Sequence, residues 1–204
     1  RGCLYFGLML TADGPKVIEY NCRFGDPETQ VVLPLLKSDL LSIMQATTNG
    51  TLTSEMVEFS DECAACVVMA SGGYPKSYST GYTIDIPDAL LDSVYVAGAK
   101  LENGRLKTAG GRVLGVCATG KTLREALDTA YRNVERIHFK DAHYRRDIGA
   151  RALAAAEDGR LSFVLPASIP KEYIAVIEAH GARVCRAPDS PARWQHACFA
   201  ADAY

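Results

Sequence analysis

Residues 16–30, Lys16-Val17-Ile18-Glu19-Tyr20-Asn21-Cys22-Arg23-Phe24-Gly25-Asp26-Pro27-Glu28-Thr29-Gln30, limit the folds open to this chain more than any other stretch. The first half alternates as a strand does, and it is entered from a tight turn at Asp13-Gly14-Pro15. Glu19, Asn21 and Arg23 then share one face, and Ile18, Tyr20 and Cys22 the other. A polar face of this kind is ordinarily the solvent side of an antiparallel strand. Here it sets a carboxylate, an amide oxygen and a guanidinium in a row. The first two are hard oxygen donors of the kind Mg²⁺ accepts, with its remaining positions left to water and substrate phosphates. The third is a fork suited to a phosphoryl or carboxyl group. Phe24 to Glu28 leave the strand through turn residues and bring two more carboxylates, Asp26 and Glu28, beside the same spot.

The flanking pattern predicts an α+β fold. Gly2 to Leu10 form a nearly continuous apolar run that pairs with residues 16–22 as an antiparallel hairpin, Thr11-Ala12-Asp13-Gly14 being the turn. A short helix is expected over Glu28 to Lys37, with Pro27 at its first position. A second is expected from Asp39 to about Thr47, capped by Ser38 and closed by Asn49-Gly50. After an acidic linker at Glu55 to Glu62, strands are expected at 64–70, 80–85, 94–101, 105–108 and 112–118. An amphipathic helix follows at 123–137, burying Leu123, Ala126, Leu127, Ala130 and Val134. Antiparallel strands backed by such a helix make a compact α+β module. Residues 150–204 read differently: a helix over Ala150 to Glu157, a strand at 161–165, a helix from Pro170 to His180 and a strand at 182–185. That is a β-α-β order, the start of another domain.

Composition excludes several classes. With 48% apolar and 23% charged residues in a chain of 204, a sizeable core is available and disorder is not expected. A formal charge of −2 gives no basic excess for a nucleic-acid or membrane-surface role. No run is apolar and long enough to span a bilayer, and no leader is visible. The seven cysteines sit mostly in strand-like apolar runs, which suits buried thiols in a reducing cytosol. Cys63 and Cys66 form a C-x-x-C without the second pair a zinc site requires, so the pair reads as part of a buried strand.

Gly115-Val116-Cys117-Ala118-Thr119-Gly120-Lys121-Thr122 satisfies the phosphate-loop pattern G-x-x-x-x-G-K-[ST]. A phosphate loop must bend from its first glycine so that backbone N–H groups curl around the anion. Here apolar residues run straight through Gly115, and Thr122-Leu123-Arg124-Glu125 is a capping box that accounts for Thr122. The stretch is expected to be a strand and a helix start.

The string Glu19 to Gln30 closely resembles the signature of the phosphoribosylamine–glycine ligase family, within the ATP-grasp superfamily. The likeness continues through Leu33 to Leu41, Ser71-Gly72-Gly73-Tyr74-Pro75, Gly110-Gly111-Arg112-Val113-Leu114-Gly115-Val116 and Ile137-His138-Phe139, and it ends near Tyr144 to Gly149. The resemblance implies that residues 1–58 are the carboxy-terminal part of an ATP-grasp domain and that 59–149 form a small antiparallel-sheet and helix C-domain. Residues 150–204 remain an unassigned tail. It implies an ATP- and Mg²⁺- or Mn²⁺-dependent ligase of purine biosynthesis, joining glycine to 5-phosphoribosylamine through a glycyl phosphate, in the cytoplasm. Glu19 and Asn21 match the family's metal ligands. Arg23 would steady phosphoryl or acyl-phosphate oxygens, and Asp26 and Glu28 would orient the glycine ammonium or the amine nucleophile. The expected partners are these small molecules and the amino-terminal part of the same enzyme, which would precede Arg1. The chain alone is then expected to be an inactive portion. The alternative is a noncatalytic α+β fragment or assembly module.

Overall fold

The fold is described from a computed structural model that covers residues 1–11, 14–150, 152–153, 162–166 and 183–187. Contacts divide the chain into two units, one of Arg1–Cys3 with Arg23–Ile148, the other of Leu4–Cys22 with Gly149–Tyr204.

In the second unit β1 (Tyr5–Thr11) and β2 (Gly14–Asn21) form the expected antiparallel hairpin, with Tyr5 opposite Asn21. The expected turn residues Ala12 and Asp13 lie outside the described residues. Gly7 faces Glu19 while Leu8 faces Val17, so Ile18 is an extra residue that bulges out of the ladder. Beyond the bulge the alternation resumes, and Phe6 meets Tyr20 edge to face at 5.2 Å. Phe6, Val17, Ile18 and Tyr20 are all exposed.

The first unit is built on a three-stranded antiparallel sheet. After Glu28, α1 (Thr29–Val32) makes one turn and tightens into a 3₁₀ turn at Leu33–Leu35, shorter than the helix expected to Lys37. Pro27 precedes that helix instead of starting it, and the Asp26–Pro27 bond is cis. The helix α2 (Leu40–Asn49) is capped by Asp39, whose carboxylate accepts the Ser42 N–H at 2.7 Å. Ser38, the expected cap, has its Oγ taken by the Glu58 N–H at 2.7 Å. Gly50 closes the helix at φ 73°, as Asn49-Gly50 implied.

β3 (Cys63–Ala70) pairs antiparallel with β7 (Arg112–Gly120), and β4 (Val94–Val96) pairs with the other edge of β7. β5 (Ala99–Glu102) and β6 (Arg105–Thr108) make a separate ribbon. The strand expected at 94–101 therefore breaks. At the break Gly98 donates its N–H to Arg112 O at 2.8 Å, and its Cα side abuts Gly110, where a Cβ would stand 2.8 Å from the Gly110 Cα. Residues 80–85, expected as a strand, join instead through isolated bridges, Thr83 to Lys107 and Asp85 to His138, and through backbone hydrogen bonds of Gly81, Tyr82 and Ile84 to β6.

α3 (Leu123–Val134) buries Ala126, Leu127, Ala130 and Val134 against β3 and β7. Ala65, Val67 and Met69 on β3 and Leu114 and Val116 on β7 complete this core layer, each at most 4% exposed. α1 packs on the same two strands. Its Gln30 lies 3.9 Å from the point where a Gly115 Cβ would be, and Gly115 lies on the opposite pleat from Leu114 and Val116. β7 is thus covered on both faces, and five consecutive residues, 113–117, are buried.

β8 (Ser162–Pro166) and β9 (Arg183–Ala187) pair in parallel, consistent with the β-α-β order expected for the tail. The helix expected from Pro170 to His180 lies outside the described residues, as does most of the one expected from Ala150.

Candidate functional site

β2 carries Glu19 and Asn21 two residues apart and beyond its bulge, which sets both side chains on one face. The Asn21 Nδ2 donates to Glu19 Oε1 at 3.1 Å. Gly7, opposite Glu19 on β1, makes room for that side chain, since a Cβ there would stand 2.9 Å from Glu19 Cγ. One carboxylate and one amide suit a hard cation that takes its other ligands from water and phosphate oxygens. Among the described residues no group of three His, Cys, Asp or Glu converges as a complete protein cage would require. The residues present fit Mg²⁺ or Mn²⁺ of the substrate-assisted kind.

β2 ends at Asn21, so the shared strand face expected to extend to Arg23 stops one step short of it. Arg23 is exposed, and its Nη1 donates to the Phe24 carbonyl at 2.7 Å.

The segment from Phe24 to Gln30 is a tightly folded loop. The carbonyl of Gly25 accepts the Thr29 N–H at 3.0 Å and also the Thr29 hydroxyl. Gly25 is buried, and the Glu28 carboxylate lies where a Cβ on it would be. Asp26 is held at both oxygens: Arg112 Nη2 reaches Oδ2 at 2.9 Å, and Gln30 Nε2 donates to Oδ1 at 3.1 Å. The Asp26–Arg112 pair is partly exposed, so its own worth is at most about 1 kcal/mol. Gln30 Oε1 is buried and has no partner among the described residues, a loss of about 1–3 kcal/mol by general measure.

Two glycine turns are stitched together beside this loop. Ser71 N–H donates to Gly111 O and Ser71 Oγ to Gly110 O, each at 2.8 Å. The Tyr74 ring occupies the space of a Gly111 side chain, and the Asp141 backbone and Cβ crowd Gly72. These glycines serve packing within the protein, and the charged group their turn delivers is Arg112.

The phosphate-loop pattern is a strand, as expected. β7 pairs with β3 residue by residue from Leu114 through Gly120, straight across the first glycine of the pattern, and Thr122 Oγ1 caps α3 by accepting the Glu125 N–H at 3.2 Å. Cys66 and Cys117 face each other across β3 and β7 and share a thiol hydrogen bond. That bond and burial push the Cys117 thiol well up, so it keeps its proton. Cys63 falls on the opposite pleat from Cys66, which leaves the C-x-x-C without a common site.

Residues 64–151 match the family described as "Phosphoribosylglycinamide synthetase, C domain", and residues 1–29 match "Phosphoribosylglycinamide synthetase, ATP-grasp (A) domain". A phosphoribosylamine–glycine ligase of Clostridium acetobutylicum is 53% identical over 148 residues, 72% of this chain and 36% of that protein. The chain belongs to the phosphoribosylamine–glycine ligase family. The ligase of Caldanaerobacter subterraneus subsp. tengcongensis is 48% identical over 151 residues, again with 36% of its length covered. The human trifunctional purine biosynthetic protein adenosine-3 is 50% identical over 163 residues, 16% of its length. The crystal structure of the phosphoribosylamine–glycine ligase from Thermotoga maritima superposes with a TM-score of 0.62 at 39% identity, covering 71% of this chain and 36% of that one. The chain thus spans little more than a third of the ligases it matches.

Gln30 and Arg112 were not among the residues expected to form the site. Gln30 closes the family signature, four residues after Asp26, and Arg112 is the one charge in an apolar strand opened by two glycines. Those were the available signals.

Proposed function

We propose that this chain is the carboxy-terminal part of an ATP-dependent ligase that joins glycine to 5-phosphoribosylamine, releasing ADP and phosphate, in the cytoplasm. The supporting observation is the adjacency of Glu19 and Asn21 on β2, within the stretch that matches the ATP-grasp domain family. On this reading residues 1–58 complete an ATP-grasp domain and 59–149 form the C-domain.

The reaction begins when the glycine carboxylate attacks the γ-phosphorus of ATP, breaking the bond to ADP and forming glycyl phosphate. The amine of phosphoribosylamine then attacks the acyl carbon, loses a proton and expels phosphate. The physical obstacle is the approach of a carboxylate to a triphosphate. Glu19 and Asn21 would hold a divalent cation there, which would supply the charge that offsets this repulsion and the negative charge on the transferring group. Arg23, exposed beyond the strand, offers a guanidinium to phosphoryl and acyl-phosphate oxygens. Asp26 and Glu28 are the anionic groups for the ammonium of glycine or the incoming amine.

The test fuses the amino-terminal segment of the Clostridium acetobutylicum ligase ahead of Arg1 and measures glycinamide ribonucleotide formed from glycine, phosphoribosylamine and ATP with Mg²⁺. The fusion is expected to turn over, and Glu19→Ala to lose at least about 100-fold in kcat with the fold retained. A well-folded fusion without product would leave the chain a noncatalytic module.

A further inference from the structure

The Gln30 amide stands where stability alone gives no reason for it. Nε2 donates to Asp26 Oδ1 at 3.1 Å at an exposed position, while Oε1 is buried without a partner among the described residues. A buried acceptor left unpaired carries its full desolvation penalty, and one hydrogen bond to a half-exposed carboxylate returns no more than that. Turning the amide over is no remedy, because it would set Oε1 against the Asp26 carboxylate, acceptor to acceptor. An unbranched apolar side chain would fill the same space beside Gly115 and Cys66 with neither defect.

What the amide achieves is geometric. Arg112, the first residue of β7, holds Asp26 Oδ2 at 2.9 Å, and its Nη1 stands 3.5 Å from the Asp26 carbonyl. Gln30, on α1, holds Oδ1. A carboxylate gripped at each oxygen from two different elements is confined to one rotamer. Each oxygen still has a second lone pair with which to accept from a substrate.

We propose that Gln30 and Arg112 are positioning residues for Asp26, fixing its carboxylate to receive the amino group of a substrate in the ligase reaction. The proposal deepens the ligase reading and rests on it for its catalytic half. Gln30 is then a residue kept for orientation at the expense of stability.

Gln30→Met and Arg112→Lys test this with three readouts. The urea midpoint of the 204-residue chain is expected to stay level or rise in Gln30→Met. The Asp26 Hα–Hβ couplings are expected to report one rotamer in the wild type and an average in both variants. In the fusion, kcat is expected to fall about 10- to 100-fold in both variants with the KM for ATP unchanged, the range a displaced catalytic group produces. A lowered midpoint in Gln30→Met, an unaltered Asp26 rotamer or a wild-type kcat would each overturn the proposal. If the wild-type fusion makes no product, the ligase reading fails, and the midpoint and the couplings still decide whether the clamp exists.

Discussion

Thr122 and Glu125 close the start of α3 between them: Thr122 Oγ1 accepts the Glu125 N–H at 3.2 Å, and Glu125 Oε2 accepts the Lys121 N–H at 2.9 Å. The Lys121 N–H and the Thr122 hydroxyl oxygen, which a phosphate loop would offer to its ligand, are thus engaged within the protein. Lys121→Ala is therefore expected to leave nucleotide affinity of the fusion unchanged by calorimetric titration, and a tenfold loss would restore the loop reading. Thr122→Ala should lower stability by about 1 kcal/mol, the usual worth of such a cap.

Gly115 is a position of β7 where a side chain would be tightly confined. A Cβ would stand 3.2 Å from Cys66 Sγ and 3.9 Å from Gln30 Cγ. Gly115→Ala is expected to destabilise by about 1–3 kcal/mol through overpacking, measured by urea unfolding. A neutral or stabilising result would mean that α1 moves freely on the sheet.

Tyr131 ties α3 to the segment beyond it, its hydroxyl donating to Arg145 O at 3.0 Å and accepting the Ile148 N–H at 3.1 Å. Burial raises its pKa above the ordinary 10.0. The folded chain thus keeps a proton that the unfolded chain releases. This contribution is whole below pH 10.0 and is lost as pH climbs through the folded value. Between about pH 9 and pH 11 the urea midpoint is expected to fall less steeply in Tyr131→Phe than in the wild type.

The exposed apolar group on the hairpin, Phe6, Val17, Ile18 and Tyr20, has a measurable consequence for the chain by itself. Such a patch on a two-stranded ribbon favours association with another copy. Light scattering is expected to show self-association that Ile18→Lys reduces. A monodisperse monomer in the wild type would contradict this.

Periodicity alone carried the hairpin, β3, β7 and α3, because each has a strong apolar repeat that no neighbour overrides. It failed where a distant partner decides. Ser38 and Asp39 are both good capping residues, and only the arrival of the Glu58 N–H at Ser38 Oγ leaves the cap to Asp39. Residues 94–101 have a strand's composition, yet the backbone of Gly110 and Arg112 packs at Gly98 and breaks them. The candidate site divides the same way. Glu19 and Asn21 follow from a period of two, whereas the hold on Asp26 depends on Arg112, which only tertiary folding brings near.

The register of β7 has a consequence in time. Its partners on β3 join Cys63 to Gly120 and Ala70 to Arg112, so the ladder spans all of β4, β5 and β6. A strand whose neighbours are this distant in sequence cannot nucleate locally, since the intervening loop must close before any pair is rewarded. On a ribosome β3 emerges and waits without its ladder partner until β7 has been made. The centre of this unit is therefore completed late, and the grip of Arg112 on Asp26, 86 residues apart in sequence, likewise waits for the start of β7 to be made.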